Sequence, residues 1–233
     1  MAHDHSHPHH HDHGHGHDHD HDHDHDHEHD HAPITSEDHA DRYEVLLETA
    51  IRELLDEKGI LSAEDIHRQI DAQDSRTPAL GAQVVAKAWT DPAFKQRLLA
   101  APLAAINETF GLGIQTPLEL VVLENTPDLH NVVVCTLCSC YPRMLLGIPP
   151  AWYKSTEYRS RVVVQPRQVL AEFGTHLPDT VEVRVSDSTA DLRYLVLPMR
   201  PAGSEGMSEA ELAALVTRDA MIGTALPLPP VSQ

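Results

Sequence analysis

The sequence predicts an α+β chain, helical in its first half and carrying strands in its second. Two patterns say so: apolar residues recur at helical spacing from about residue 41 to residue 110, and short β-branched runs appear only after residue 120. Apolar residues make up 41% of the 233, enough for a sizeable core.

The first 31 residues stand apart. They hold 16 of the 20 histidines, many alternating with aspartate as in His19-Asp20-His21-Asp22-His23. With almost no apolar side chain to offset the entropy of ordering, residues 1–40 are expected to be a disordered tail. Imidazole and carboxylate together bind divalent ions weakly, so the tail reads either as a cobalt or nickel store or as a solvating segment with incidental metal affinity. Residues 1–31 also supply nine of the acidic residues behind a net charge of −19, a balance that argues against nucleic acid as a partner. No 18-residue apolar run is present, so no membrane span is expected. Without an apolar leader the expected location is the cytoplasm, where unpaired thiols stay reduced.

From Asp41 to Lys58, Tyr43, Leu46, Leu47, Ala50, Ile51, Leu54 and Leu55 form one apolar stripe, with Gly59 as a C-terminal stop. Ser62 before Ala63-Glu64-Asp65 is an N-cap with acids in the first turn, opening a helix to about Ala72. The run Asp74-Ser75-Arg76-Thr77-Pro78 breaks it. Leu80–Trp89 and Pro92–Leu99 are two further helices about the Asp91-Pro92 start signal, and Leu103–Phe110 is a third ending before Gly111. Val121-Val122-Leu123 and Val132-Val133-Val134 read as buried strands. Tyr158–Phe173 contains a helix ending at Gly174, Val181–Val185 alternates as a half-buried strand, and Leu192–Leu197 gives another. Ser208 caps a helix over Glu209–Val216, and Pro227, Pro229 and Pro230 end the order.

All three cysteines fall in six residues, Cys135-Thr136-Leu137-Cys138-Ser139-Cys140, on a turn leaving the Val132–Val134 strand. Thiols this close are poor disulfide partners, and one must always be left over. Packing does not explain the cluster either, since core cysteines scatter. Metal ligation does: a turn of this length can aim three thiolates at one ion. A structural zinc site needs a fourth side chain, and His130 is the only nearby one. The other source of ligands is the backbone, through the amide nitrogens of Ser139 and Cys140.

The run Val134–Cys140 with Tyr141-Pro142 and Leu146-Gly147-Ile148-Pro149-Pro150-Ala151-Trp152-Tyr153-Lys154 resembles the metal-binding segment of the nitrile hydratase α-subunit family, which includes the thiocyanate hydrolase γ subunit. Further matching blocks follow in order: Tyr158-Arg159-Ser160-Arg161, Pro166 through Gly174, Arg193-Tyr194, Leu197-Pro198, Arg200-Pro201-Ala202-Gly203 and Thr217-Arg218-Asp219. The resemblance covers nearly everything from about residue 43 onward.

It implies a layered α-β-β-α fold with an N-terminal helical arm that embraces a partner subunit. The domains expected are therefore the tail over 1–40, a partner-binding arm over 41–76 and a metal-binding catalytic domain over 77–233. It also implies one trivalent ion per chain in a claw made by the sulfurs of Cys135, Cys138 and Cys140 and the amide nitrogens of Ser139 and Cys140. In that family the equivalents of Cys138 and Cys140 are oxidised to sulfinic and sulfenic acid. Thr136 resembles the cobalt members, so cobalt is expected ahead of iron.

The catalytic residues expected by resemblance are Cys140, Ser139 and Cys138, acting on a small nitrile or on thiocyanate. The expected partners are a β subunit, or the corresponding thiocyanate hydrolase subunits, and a cobalt activator chaperone. Gln115 is a weaker active-site expectation, and Arg143, Arg159, Arg161 and Arg167 are read as structural or interfacial. Nitrile hydration is the favoured activity. Thiocyanate hydrolysis is the alternative, because Arg143 stands where most nitrile hydratases have Trp and suits an anion. A metal-storage protein, with the tail as reservoir, is the third reading.

Overall fold

The computed structural model of the chain describes residues 42–230, so the tail expected over 1–40 lies outside the described residues. Helices come first. α1 (Arg42–Glu57) and α2 (Ala63–Asp74) follow the predicted stripe and cap, Ser62 forming a full capping box with Asp65. Among the described residues neither helix holds a buried one, and Tyr43, Val45, Leu46, Leu47, Ile51 and Leu54 of α1 are all exposed.

The core begins at α3 (Ala79–Thr90), whose Val84 and Val85 are fully buried. Asp91 accepts from the Phe94 nitrogen and starts α4 (Pro92–Ala100), and α5 (Pro102–Phe110) ends on Gly111 in the left-handed conformation, as the sequence predicts. β1 (Glu119–Glu124) and β2 (Leu129–Val134) follow, then four short helices: α6 (Arg143–Leu146), α7 (Ala151–Lys154), α8 (Thr156–Arg161) and α9 (Pro166–Glu172). The helix expected within Tyr158–Phe173 and ending at Gly174 is α9, which is separate from α8 because Pro166 keeps Gln165 out of helical geometry and restarts the chain at its own N1 position. β3 (Glu182–Asp187) and β4 (Leu192–Leu197) precede α10 (Glu209–Ala214) and α11 (Arg218–Ile222). The chain stays ordered past Pro227, with the Leu228 nitrogen bonded to the Leu215 carbonyl.

The strands form two parallel pairs, β1 with β4 and β2 with β3. Parallel pairing requires long crossovers, and everything between β2 and β3 is one: it carries the cysteines and α6 to α9. α11 packs on β2 and β4, and its end is fixed by Gly223, where a Cβ would lie 2.0 Å from the Asn131 carbonyl oxygen.

Candidate metal centre

β2 ends at Val134 and the six-residue cysteine loop leaves it directly. Cys135 is fully buried, Cys140 half-buried and Cys138 exposed. The Sγ atoms of Cys135 and Cys138 are 3.5 Å apart, those of Cys138 and Cys140 are 3.3 Å apart, and all three lie within 4.8 Å of one another. The turn is closed by the Cys138 nitrogen donating to Cys135 Sγ at 3.3 Å.

These separations suit one ion. Sulfurs about 2.3 Å from a metal lie roughly 3.3 Å apart at a right angle and roughly 3.8 Å apart at the tetrahedral angle. The Cys138–Cys140 spacing matches the right angle and the Cys135–Cys138 spacing falls between the two. His130 does not join them. Five residues before Cys135 in an extended strand, it projects from the opposite face, its Nε2 2.7 Å from the Gly223 carbonyl and its Nδ1 3.2 Å from the Asn125 amide. With no fourth side chain at the sulfurs among the described residues, the donor set does not complete a tetrahedral zinc site.

Proximity splits the thiols electrostatically. The hydrogen bond from Cys140 is the main force pulling Cys138 below the usual thiol value, while burial and the bond to Cys138 push Cys140 up to about 12. Of these two, Cys138 is therefore the readier thiolate.

The loop is held from outside by residues whose roles the sequence did not reveal. Asp187, the last residue of β3, pairs in register with Val134 and accepts from the Thr136 nitrogen and hydroxyl. Arg159 Nη1 donates to the Thr136 carbonyl at 3.3 Å. The Tyr153 hydroxyl donates to the Cys140 carbonyl at 2.9 Å. Burial, with the Cys135 sulfur adding to it, holds the Tyr153 phenol above its ordinary pKa, so it remains a donor. Arg161 pairs with Glu172, and Arg167 binds the carbonyls of Leu177, Pro178 and Val181, so these two are structural.

Cys138, Ser139 and Cys140 open onto a cavity of about 790 Å³. Leu80, Leu112, Leu118 and Met144 supply its apolar wall, and Gln115 also lines it. Three arginines reach it from three elements of sequence: Arg76 after α2, Arg143 at the start of α6 and Arg193 on β4. Arg143 also meets Gln73 of α2 at 3.4 Å.

A cluster of three sulfurs at the end of a parallel strand, opening onto a cavity in an α+β chain, is a site that could hold a metal ion. The family model described as nitrile hydratase, alpha chain, matches residues 42–225, and the chain belongs to that family. It is 51% identical over 182 residues to the low-molecular weight cobalt-containing nitrile hydratase subunit alpha of Rhodococcus rhodochrous, covering 78% of this chain and 87% of that one. It is 47% identical over 197 residues to the thiocyanate hydrolase subunit gamma of Thiobacillus thioparus, covering 80% and 81%. Among solved structures, a double mutant of the Fe-type nitrile hydratase from Comamonas testosteroni Ni1 superposes with a TM-score of 0.74 at 44% identity, covering 83% of this chain and 98% of that chain.

Proposed function

We propose that this chain is the α subunit of a cobalt nitrile hydratase, which adds water to a carbon–nitrogen triple bond to give an amide. The observation that carries the reading is the convergence of the Cys135, Cys138 and Cys140 sulfurs on the rim of a cavity with an apolar wall. The backbone nitrogens of Ser139 and Cys140 would complete the claw, as the resemblance implies. A trivalent cobalt ion bound there supplies Lewis acidity.

The chain's own residues do the rest. Leu80, Leu112, Leu118 and Met144 take the organic part of the nitrile and exclude water around it. The Ser139 hydroxyl, on the cavity wall between two of the sulfurs, orients substrate or water by a hydrogen bond. The resemblance implies that Cys138 and Cys140 are first oxidised by dioxygen, which supplies the oxygen atoms, to sulfinate and sulfenate; the Cys140 oxygen would then act at the substrate carbon as nucleophile or base.

α1 and α2 form the arm over 41–76. The apolar face of α1 has no cover from the described residues, which suits burial against a β subunit that also closes the cavity. A cobalt activator chaperone is the expected supplier of the metal.

A thiocyanate hydrolase γ subunit is the second reading. It is favoured by Arg76, Arg143 and Arg193 on one cavity, a lining that attracts an anion. Co-expression with the neighbouring subunit genes in cobalt medium, followed by a small nitrile and thiocyanate offered side by side, separates the two. Amide formation supports nitrile hydratase; carbonyl sulfide release with little amide moves the assignment to thiocyanate hydrolase. Neither product from a cobalt-loaded complex would overturn both.

A further inference from the structure

The cysteine loop is fixed unevenly. Its first half leaves a buried strand and is clamped at Thr136 by Asp187 and Arg159. Its middle is open, with Leu137 82% exposed and Cys138 exposed. Beyond Cys138, the hydrogen bond that the described residues give the loop from outside is the one from the Tyr153 hydroxyl to the Cys140 carbonyl.

Tyr153 is well placed to act as an anchor. It sits on α7 just after Pro149-Pro150 and is fully buried. Its ring meets Tyr141 edge-on at 5.2 Å and 64°, Trp152 at 5.9 Å and 71°, and Tyr158 at 5.8 Å. A ring so confined cannot follow a loop that drifts, so its hydroxyl defines where the Cys140 peptide must lie.

We propose that Tyr153 is a positioning residue for the metal centre: its hydrogen bond to the Cys140 carbonyl holds the second half of the loop in the shape that keeps Cys140 Sγ 3.3 Å from Cys138 Sγ. Tyr153 touches neither substrate nor reacting atoms and works through the backbone of a ligand, as outer partners of metal ligands do. The inference rests on the metal-centre reading.

Tyr158 supplies the control. It is equally buried in the same aromatic cluster, but its hydroxyl donates to the Val133 carbonyl at 2.7 Å, within β2 and upstream of the loop. Tyr153→Phe and Tyr158→Phe each delete one oxygen and one hydrogen bond to a backbone carbonyl. In the cobalt-loaded complex of the full chain with its partner subunit, the measurements are cobalt release to excess chelator and the sulfur-to-cobalt charge-transfer absorption. Tyr153→Phe is expected to release cobalt roughly 10–100-fold faster, with a shifted absorption band. Tyr158→Phe is expected to match the wild type in both.

Equal release by Tyr153→Phe and wild type, or equal acceleration in both variants, overturns the proposal. p-Aminophenylalanine at position 153 restores a donor and is expected to restore retention. This variant also decides the matter if Tyr153→Phe does not fold, since a folded amino variant that loses cobalt like an unanchored loop contradicts the proposal. A wild-type complex that holds no cobalt overturns the metal-centre reading and this inference with it.

Discussion

Asp187 accepts two hydrogen bonds from Thr136, one from the backbone nitrogen at 2.9 Å and one from the hydroxyl at 2.6 Å. Parallel pairing of β2 with β3 puts Asp187 opposite Val134, so the carboxylate arrives beside the first residues of the cysteine loop. Asp187→Ala frees the loop where it leaves the strand and is expected to lower cobalt occupancy or activity roughly 10–100-fold. Asp187→Asn, which keeps an acceptor for one of the two bonds, is expected to fall between Ala and wild type. Cobalt content and kcat of the purified complex check both.

His130 couples stability to pH. Burial is the main cause of its lowered pKa, against the opposing bond to the Gly223 carbonyl. In the unfolded chain it titrates near the ordinary histidine value of about 6.5. Above that pH neither state binds the proton and its hydrogen bonds are intact. As pH falls below it, the unfolded state takes up the proton first, and stability is lost until the lowered native pKa is reached. His130→Gln, compared with wild type in urea melts between pH 7 and pH 5, is expected to remove this part of the slope. An unchanged slope would contradict the assignment of a neutral, fully bonded His130.

Arg143 is placed to discriminate between substrates, being on the cavity wall with Cys138, Ser139 and Cys140. Arg143→Met removes one positive charge at similar length. The expected result is a roughly 5–10-fold rise in the KM or Ki for thiocyanate at low salt, shrinking as salt is added, with little change for a neutral nitrile. Steady-state kinetics at two ionic strengths measures it.

Deleting residues 1–31 separates enzyme from store. If the tail only supplies metal, the truncated complex keeps its kcat in abundant cobalt and loses occupancy only when cobalt is limiting. Metal analysis across a cobalt titration tests this. A storage protein would instead lose its metal capacity outright.

Much of the chain was legible because its signals are local. The caps at Ser62, Asp91 and Ser208 and the stop at Gly111 each mark an element boundary within a turn of where it falls. The cysteines were legible because three soft ligands in six residues have few other uses. What surrounds them was not. Asp187 lies 51 residues beyond Thr136, and only the pairing of two strands, which periodicity cannot assign, brings them together. Tyr153 looked like one residue of a matching block until its hydroxyl was seen on Cys140. Arg193 and Arg76 reach the cavity from β4 and from the end of α2, places joined to the loop only by the fold. His130 was close in sequence yet on the wrong face, which strand alternation already implied.

The most direct test is cobalt K-edge X-ray absorption on the chelator-washed complex of the full chain, alongside Cys138→Ser. The account predicts about one cobalt per chain with a sulfur shell near 2.3 Å, and loss of that shell in the variant. Cobalt surrounded only by nitrogen and oxygen, and unaffected by Cys138→Ser, would place the metal away from the cysteines and contradict it.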